Sequence, residues 1–211
     1  MDKKTIVLTA LFCLTAVFTG CGYTDLIEAG TAIADENSSE KDRAPVQISI
    51  CCGEYDIHLS YNVIPNEADT SNTEISDAMM SVTVNNDIVS ECRLINPALS
   101  AAPGNSYFPS DLSIKLDVIG FSDWSIAIVR IPIRKDTEIM YYASFFYCSD
   151  SIIQTVYPKD KEGRFFPVLS DQTIFETDRE IDSFSFADND GEKYYFTVDY
   201  SDLTHITLKA I

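Results

Sequence analysis

The chain has 211 residues, a formal net charge of -18, 45% hydrophobic and 11% aromatic residues, and six cysteines. That is material for one sizeable core. The acidic balance argues against nucleic acid and against electrostatic attachment to anionic lipid headgroups, because both would be repelled.

The first element in chain order is a targeting segment. Lys3 and Lys4 give a positive start, and Thr5 to Phe18 form a 14-residue apolar run. A helix of that length rises only about 21 Å. The hydrocarbon core of a bilayer is about 30 Å thick, so the run reads as a cleavable signal rather than a spanning anchor. It closes on Phe18-Thr19-Gly20-Cys21. These four residues resemble the lipobox of bacterial lipoproteins, with Phe18 at a position where the pattern more often has Leu. The resemblance covers only the first 22 or so residues. It implies a diacylglyceryl group on Cys21, cleavage just before it, and a lipid-anchored extracytoplasmic protein at the cell membrane or outer membrane. Two acyl chains matter physically, since one holds a protein at a bilayer only marginally. With the signal and its Asp2, Lys3 and Lys4 removed, the chain from Cys21 carries -19.

Residues 1–20 are thus read as signal and 21–45 as the lipidated Cys followed by an acidic tether. Glu28, Asp35, Glu36, Glu40 and Asp42 are mixed there with Ala, Ser, Gly and Asn, and no apolar stripe is sustained, apart from a short helical pattern around Leu26 and Ile33. As a flexible coil such a tether spans about 25 to 30 Å on average, enough to lift a domain off the bilayer.

From Val46 to Ile211 the period is two. Tyr55, Ile57, Leu59, Tyr61 and Val63 alternate with polar residues and predict a strand buried on one face. Ser71 and Glu74 resemble a capping box, which predicts a brief helix or turn over Thr73 to Met80. Strands are predicted at Ser81 to Val84 and Ile88 to Ile95 across the hairpin residues Asn85-Asn86-Asp87, followed by a long loop from Asn96 to Asp111. Leu112 to Val118 alternates again. In Trp124 to Ile133 the apolar set moves from Trp124, Ile126 and Ile128 to Val129, Ile131 and Ile133, which predicts a bulge or bend. Further strands are predicted over Glu138 to Cys148, Ile152 to Tyr157, Phe165 to Leu169, Thr173 to Glu176, Ile181 to Ala187, Glu192 to Tyr200 and Leu203 to Lys209. Asp190-Gly191 is the best hairpin signal among them. About a dozen short strands without helices between them predict a single antiparallel β-sandwich-like domain, with a partly closed barrel as the second choice.

Chemical motifs are sparse. His58 sits on a polar strand face and His205 in a strand of unfixed register, so no histidine-based triad or metal pair is assembled by spacing. Asp188-Asn189-Asp190-Gly191 has a faint calcium-loop look, better explained as turn chemistry. No catalytic residue, metal or cofactor is assigned. Cys51, Cys52, Cys92 and Cys148 show no zinc or thioredoxin-like spacing. A neighbouring Cys51–Cys52 bridge would be strained, so a long-range bridge through Cys92 or Cys148 is favoured if the thiols are oxidised. In Ile139 to Tyr147 both faces are apolar. In a two-layer sandwich one of them would meet solvent, which nominates Tyr142 and Phe146 as an exposed aromatic platform for ligand. The sequence therefore favours a tethered binding module for a glycan or an envelope protein. A carboxylate-dependent, glycosidase-like hydrolase is the second reading, and a structural envelope-assembly lipoprotein the third.

Overall fold

The computed structural model describes residues 44–94, 107–159, 167–199 and 206–210. Cys21, the expected signal at 1–20 and His205 lie outside them. The described residues form an all-β, sandwich-like domain of three sheets. The first contains β1 (Val46–Cys52), β2 (Tyr55–Pro65), β3 (Asn72–Val84) and β4 (Asp87–Arg93) in that order, with the short β5 (Tyr107–Pro109) also on β3. The central sheet contains β6 (Lys115–Gly120), β7 (Ser125–Lys135) and β8 (Glu138–Cys148). On the outer edge of β8 lie β9 (Ile153–Val156) and β11 (Val168–Ser170), each paired with a different half of that strand. The third sheet runs β10 (Pro158–Lys159), β15 (Thr207–Ala210), β14 (Lys193–Asp199), β13 (Ser183–Ala187) and β12 (Phe175–Asp178). Every pairing is antiparallel except β10 with β15.

The central sheet is buried on both faces. Ala127, Val129, Ile131, Phe146 and Cys148 pack with Ile57, Leu59, Met80 and Val82 of the first sheet. The alternate residues Ile126, Ile128, Tyr141, Phe145 and Tyr147 pack with Phe184, Phe186, Phe196 and Leu208 of the third. This explains the apparent change of face along β7. Its ladders with β6 and β8 run without a register shift, so no bulge is present, and each apolar set belongs to its own core. A strand covered on both sides has no reason to alternate. Pro132 falls beyond Arg130, where the β6 ladder ends, so β7 has one partner there and tolerates the missing N–H.

The expected helix over Thr73 to Met80 is instead part of β3. Asp77, at φ 48°, makes a bulge opposite the Ser60/Asn62 step. The buried positions then run Thr73, Ala78, Met80 and Val82, a spacing that breaks the period of two and hides the strand. Asp69 takes the capping role, accepting from both the backbone N–H and the hydroxyl of Ser71. Within the stretch read as a long loop, β5 pairs with the start of β3. The Asn85-Asn86 hairpin has φ of 53° and 70°, the left-handed values its residue types allow.

A buried ion pair ties two layers together. Arg130 Nε donates to Asp117 Oδ2 at 2.5 Å, and its guanidinium lies 5.4 Å from the centre of the Phe175 ring at the start of β12. Its Nη1 also donates to the Ser170 carbonyl at 3.3 Å. Beside it Lys115 donates to Asp171 and sits over the Tyr141 ring.

Candidate ligand-binding face

Strand β8 is not a platform. Phe146 is 0% exposed in the core shared with the first sheet, and Tyr142, on the same face, is half-buried. The expectation of an exposed Tyr142/Phe146 face is therefore corrected at Phe146. It assumed two layers, whereas there are three: the first sheet covers Phe146 and the third covers the opposite face. The opposite set, Tyr141, Phe145 and Tyr147, is core.

Among the described residues Cys51, Cys52, Cys92 and Cys148 are free thiols, so the favoured bridge involving Cys92 or Cys148 is not formed. Cys148 Sγ instead meets Met80 Sδ at 3.8 Å, and Met80 is the residue opposite Cys92 in the β3–β4 ladder. Burial pushes the Cys148 thiol up to about 12 and also raises Cys92, so neither is a thiolate nucleophile at neutral pH.

Two outer faces remain. On the first sheet, His58 Nδ1 lies 2.7 Å from Ser49 Oγ and its Nε2 2.9 Å from Thr83 Oγ1. The imidazole thus bridges three strands. The nearby Asp56 carboxylate hydrogen-bonds the Cys51 thiol and raises its pKa. A serine beside a histidine invites comparison with a nucleophile and its base, but here Thr83, and not a carboxylate, orients the ring. The half-buried Asp117 and the exposed Asp171 are each held by a cation, Arg130 and Lys115. That arrangement is a charge-balanced staple and not the acid and nucleophile of glycoside hydrolysis.

On the third sheet the alternation is plain. Phe184, Phe186, Phe196 and Leu208 point to the core, and their neighbours point away from it. The register then lays two cross-strand rows on the outer face: Glu176–Ser185–Tyr195, and Asp178–Ser183–Thr197–Lys209. Ser185 Oγ donates to Glu176 Oε2 at 3.4 Å, and Lys209 pairs with Asp199. Ser183 and Ser185 are themselves buried, screened by taller neighbours. Tyr195 stands up from this surface with 49% of its area exposed. The sequence signal for it is simple: an aromatic residue at a position where Lys193, Thr197 and Asp199 set a polar face.

At the end of this sheet Asp188 organises the hairpin. Its Oδ1 accepts from the backbone N–H of Asp190 at 3.0 Å and of Glu192 at 2.9 Å, and its Oδ2 from the Tyr194 hydroxyl at 3.1 Å. That is turn chemistry, and the described residues contain no group of His, Cys, Asp and Glu arranged to hold a metal. No protein-family model, curated protein or solved structure matches this chain.

Proposed function

We propose that this protein is a lipid-anchored extracytoplasmic lipoprotein that presents a three-layer β domain as a binding module. The lipobox-like Phe18-Thr19-Gly20-Cys21 supports the anchor, and the acidic stretch behind it supplies reach. The observation that carries the binding reading is Tyr195, an aromatic ring half in water on the outermost sheet. A ring with a polar tip in such a place loses little by meeting a ligand and gains by desolvation. The test of the anchor is the mature protein from cells. Its N-terminus should be a diacylated Cys21, it should partition into the detergent phase, and Cys21→Ala should remain unprocessed. An unmodified N-terminus elsewhere would end the lipoprotein reading.

A further inference from the structure

We infer that two copies of this chain pair through β1, edge to edge and antiparallel about a two-fold axis at Ser49, so that their first sheets become one. The contact uses neither Cys21 nor Tyr195.

β1 is the outermost strand of its sheet and pairs with β2. The two-residue turn Gly53-Glu54 makes Cys52 and Tyr55 a hydrogen-bonded pair. Such pairs recur at every second residue, so Ile50, Ile48 and Val46 also bond to β2, and the amides and carbonyls of Gln47, Ser49 and Cys51 point out of the sheet. Among the described residues no backbone group beyond β2 bonds to β1.

An open edge is ordinarily blunted by charge, proline, a bulge or brevity. The other described edge strands follow that rule. β4 carries Asp87, Glu91 and Arg93, β6 carries Lys115 and Asp117, and β9, β10, β11 and β12 have four residues or fewer. β1 has seven residues with no charge, no proline and no shift of register against β2. An edge of this kind is a template for another strand.

The strand is complementary to itself. In a two-fold pair residue i meets residue j and j meets i. A centre at Ser49 sets Ser49 against its copy, Gln47 against Cys51, Ile48 against Ile50 and Val46 against Cys52, and it is the one centre that pairs all seven residues. The outward-pointing amides and carbonyls of Gln47, Ser49 and Cys51 then bond to one another. Ile48 and Ile50, which reach the core but are only half-buried, cover each other across the axis in the pairs whose side chains approach more closely. Charge separates this occupant from a foreign strand. Each chain is at -18, so a basic partner would be drawn in and then released by salt, whereas two copies repel and associate better once salt screens them.

The experiment is sedimentation velocity of the full-length protein in detergent at ionic strengths of about 0.01 M and about 0.15 M, joined to oxidative cross-linking of cysteine variants. A dimer is expected, tighter at the higher salt. Ser49→Lys sets like charges face to face and should weaken it at least tenfold, while Ile88→Lys on the opposite edge strand, β4, should leave it unchanged. In a Cys51→Ser background Ser49→Cys should link to its own copy, because a hydrogen-bonded pair holds the Cα atoms about 5.5 Å apart. Gln47→Cys in that background should not link, since its copy lies four residues along the strand, about 13 Å away, and restoring Cys51 should restore the link. A monomer at every concentration, a dimer indifferent to Ser49→Lys, or equal linking from positions 47 and 49 would overturn the inference. So would an assembly that salt dissociates, or a Ser49→Cys chain linked to a different envelope protein, either of which would put a foreign strand on this edge.

Discussion

Phe145 and Phe146 are neighbours in β8, yet they belong to different cores: Phe145 packs against Phe184 and Phe186 of the third sheet, and Phe146 against the first. Removing either ring leaves a cavity. Phe145→Ala and Phe146→Ala are each expected to cost about 3 to 5 kcal/mol in urea unfolding. If either cost less than about 1 kcal/mol, that face of β8 would be open to water.

Gly120 sets a second packing constraint. A Cβ there would lie 2.8 Å from Cys52 Sγ, whose position is fixed by a 3.0 Å bond with the buried Ser125 hydroxyl. Gly120→Ala is expected to lower stability by about 1 to 3 kcal/mol, as overpacking does. Cys52→Ala should recover part of that loss in the double variant. Simple additivity of the two changes would show that they do not meet.

Gly191 tests the hairpin in a different way. It has φ +81° and nothing within 4 Å of an added Cβ, so a larger side chain meets backbone strain alone. Gly191→Val should destabilise by about 1 kcal/mol or more, read as a lower unfolding midpoint.

The acid limb of stability should depend on Asp171. Its hydrogen bond from Lys115 holds the carboxyl below its ordinary 3.8. A depressed carboxyl stabilises the fold above its unfolded value, and the contribution is lost as pH falls through the folded one. Asp69 and Asp111 are lowered in the same direction, by Ser71 and by Arg134. The urea midpoint should therefore drop below about pH 4. Asp171→Asn should flatten that drop, and an unchanged slope would remove Asp171 from the account.

Much of this fold could be read from the chain. The alternation in β2 and the turns at Asn85-Asn86 and Gly191 sit where residue chemistry puts them, because each is decided locally. What escaped was decided at a distance. The bulge at Asp77 broke the period of β3, and nothing in β8 itself says that a second sheet covers Phe145 while the first covers Phe146. A strand apolar on both faces signals a missing layer as readily as an exposed surface. Tyr195, which does reach water, was legible only as the odd member of a polar face.

The central claim is that β8 is internal and that the outermost sheet presents the aromatic contact. Hydroxyl-radical footprinting of the intact protein reads both parts at once. The account expects rapid oxidation of Tyr195, with Phe145 and Phe146 protected until the protein unfolds. Oxidation of Phe146 at a rate comparable to Tyr195, or protection of Tyr195, would contradict it.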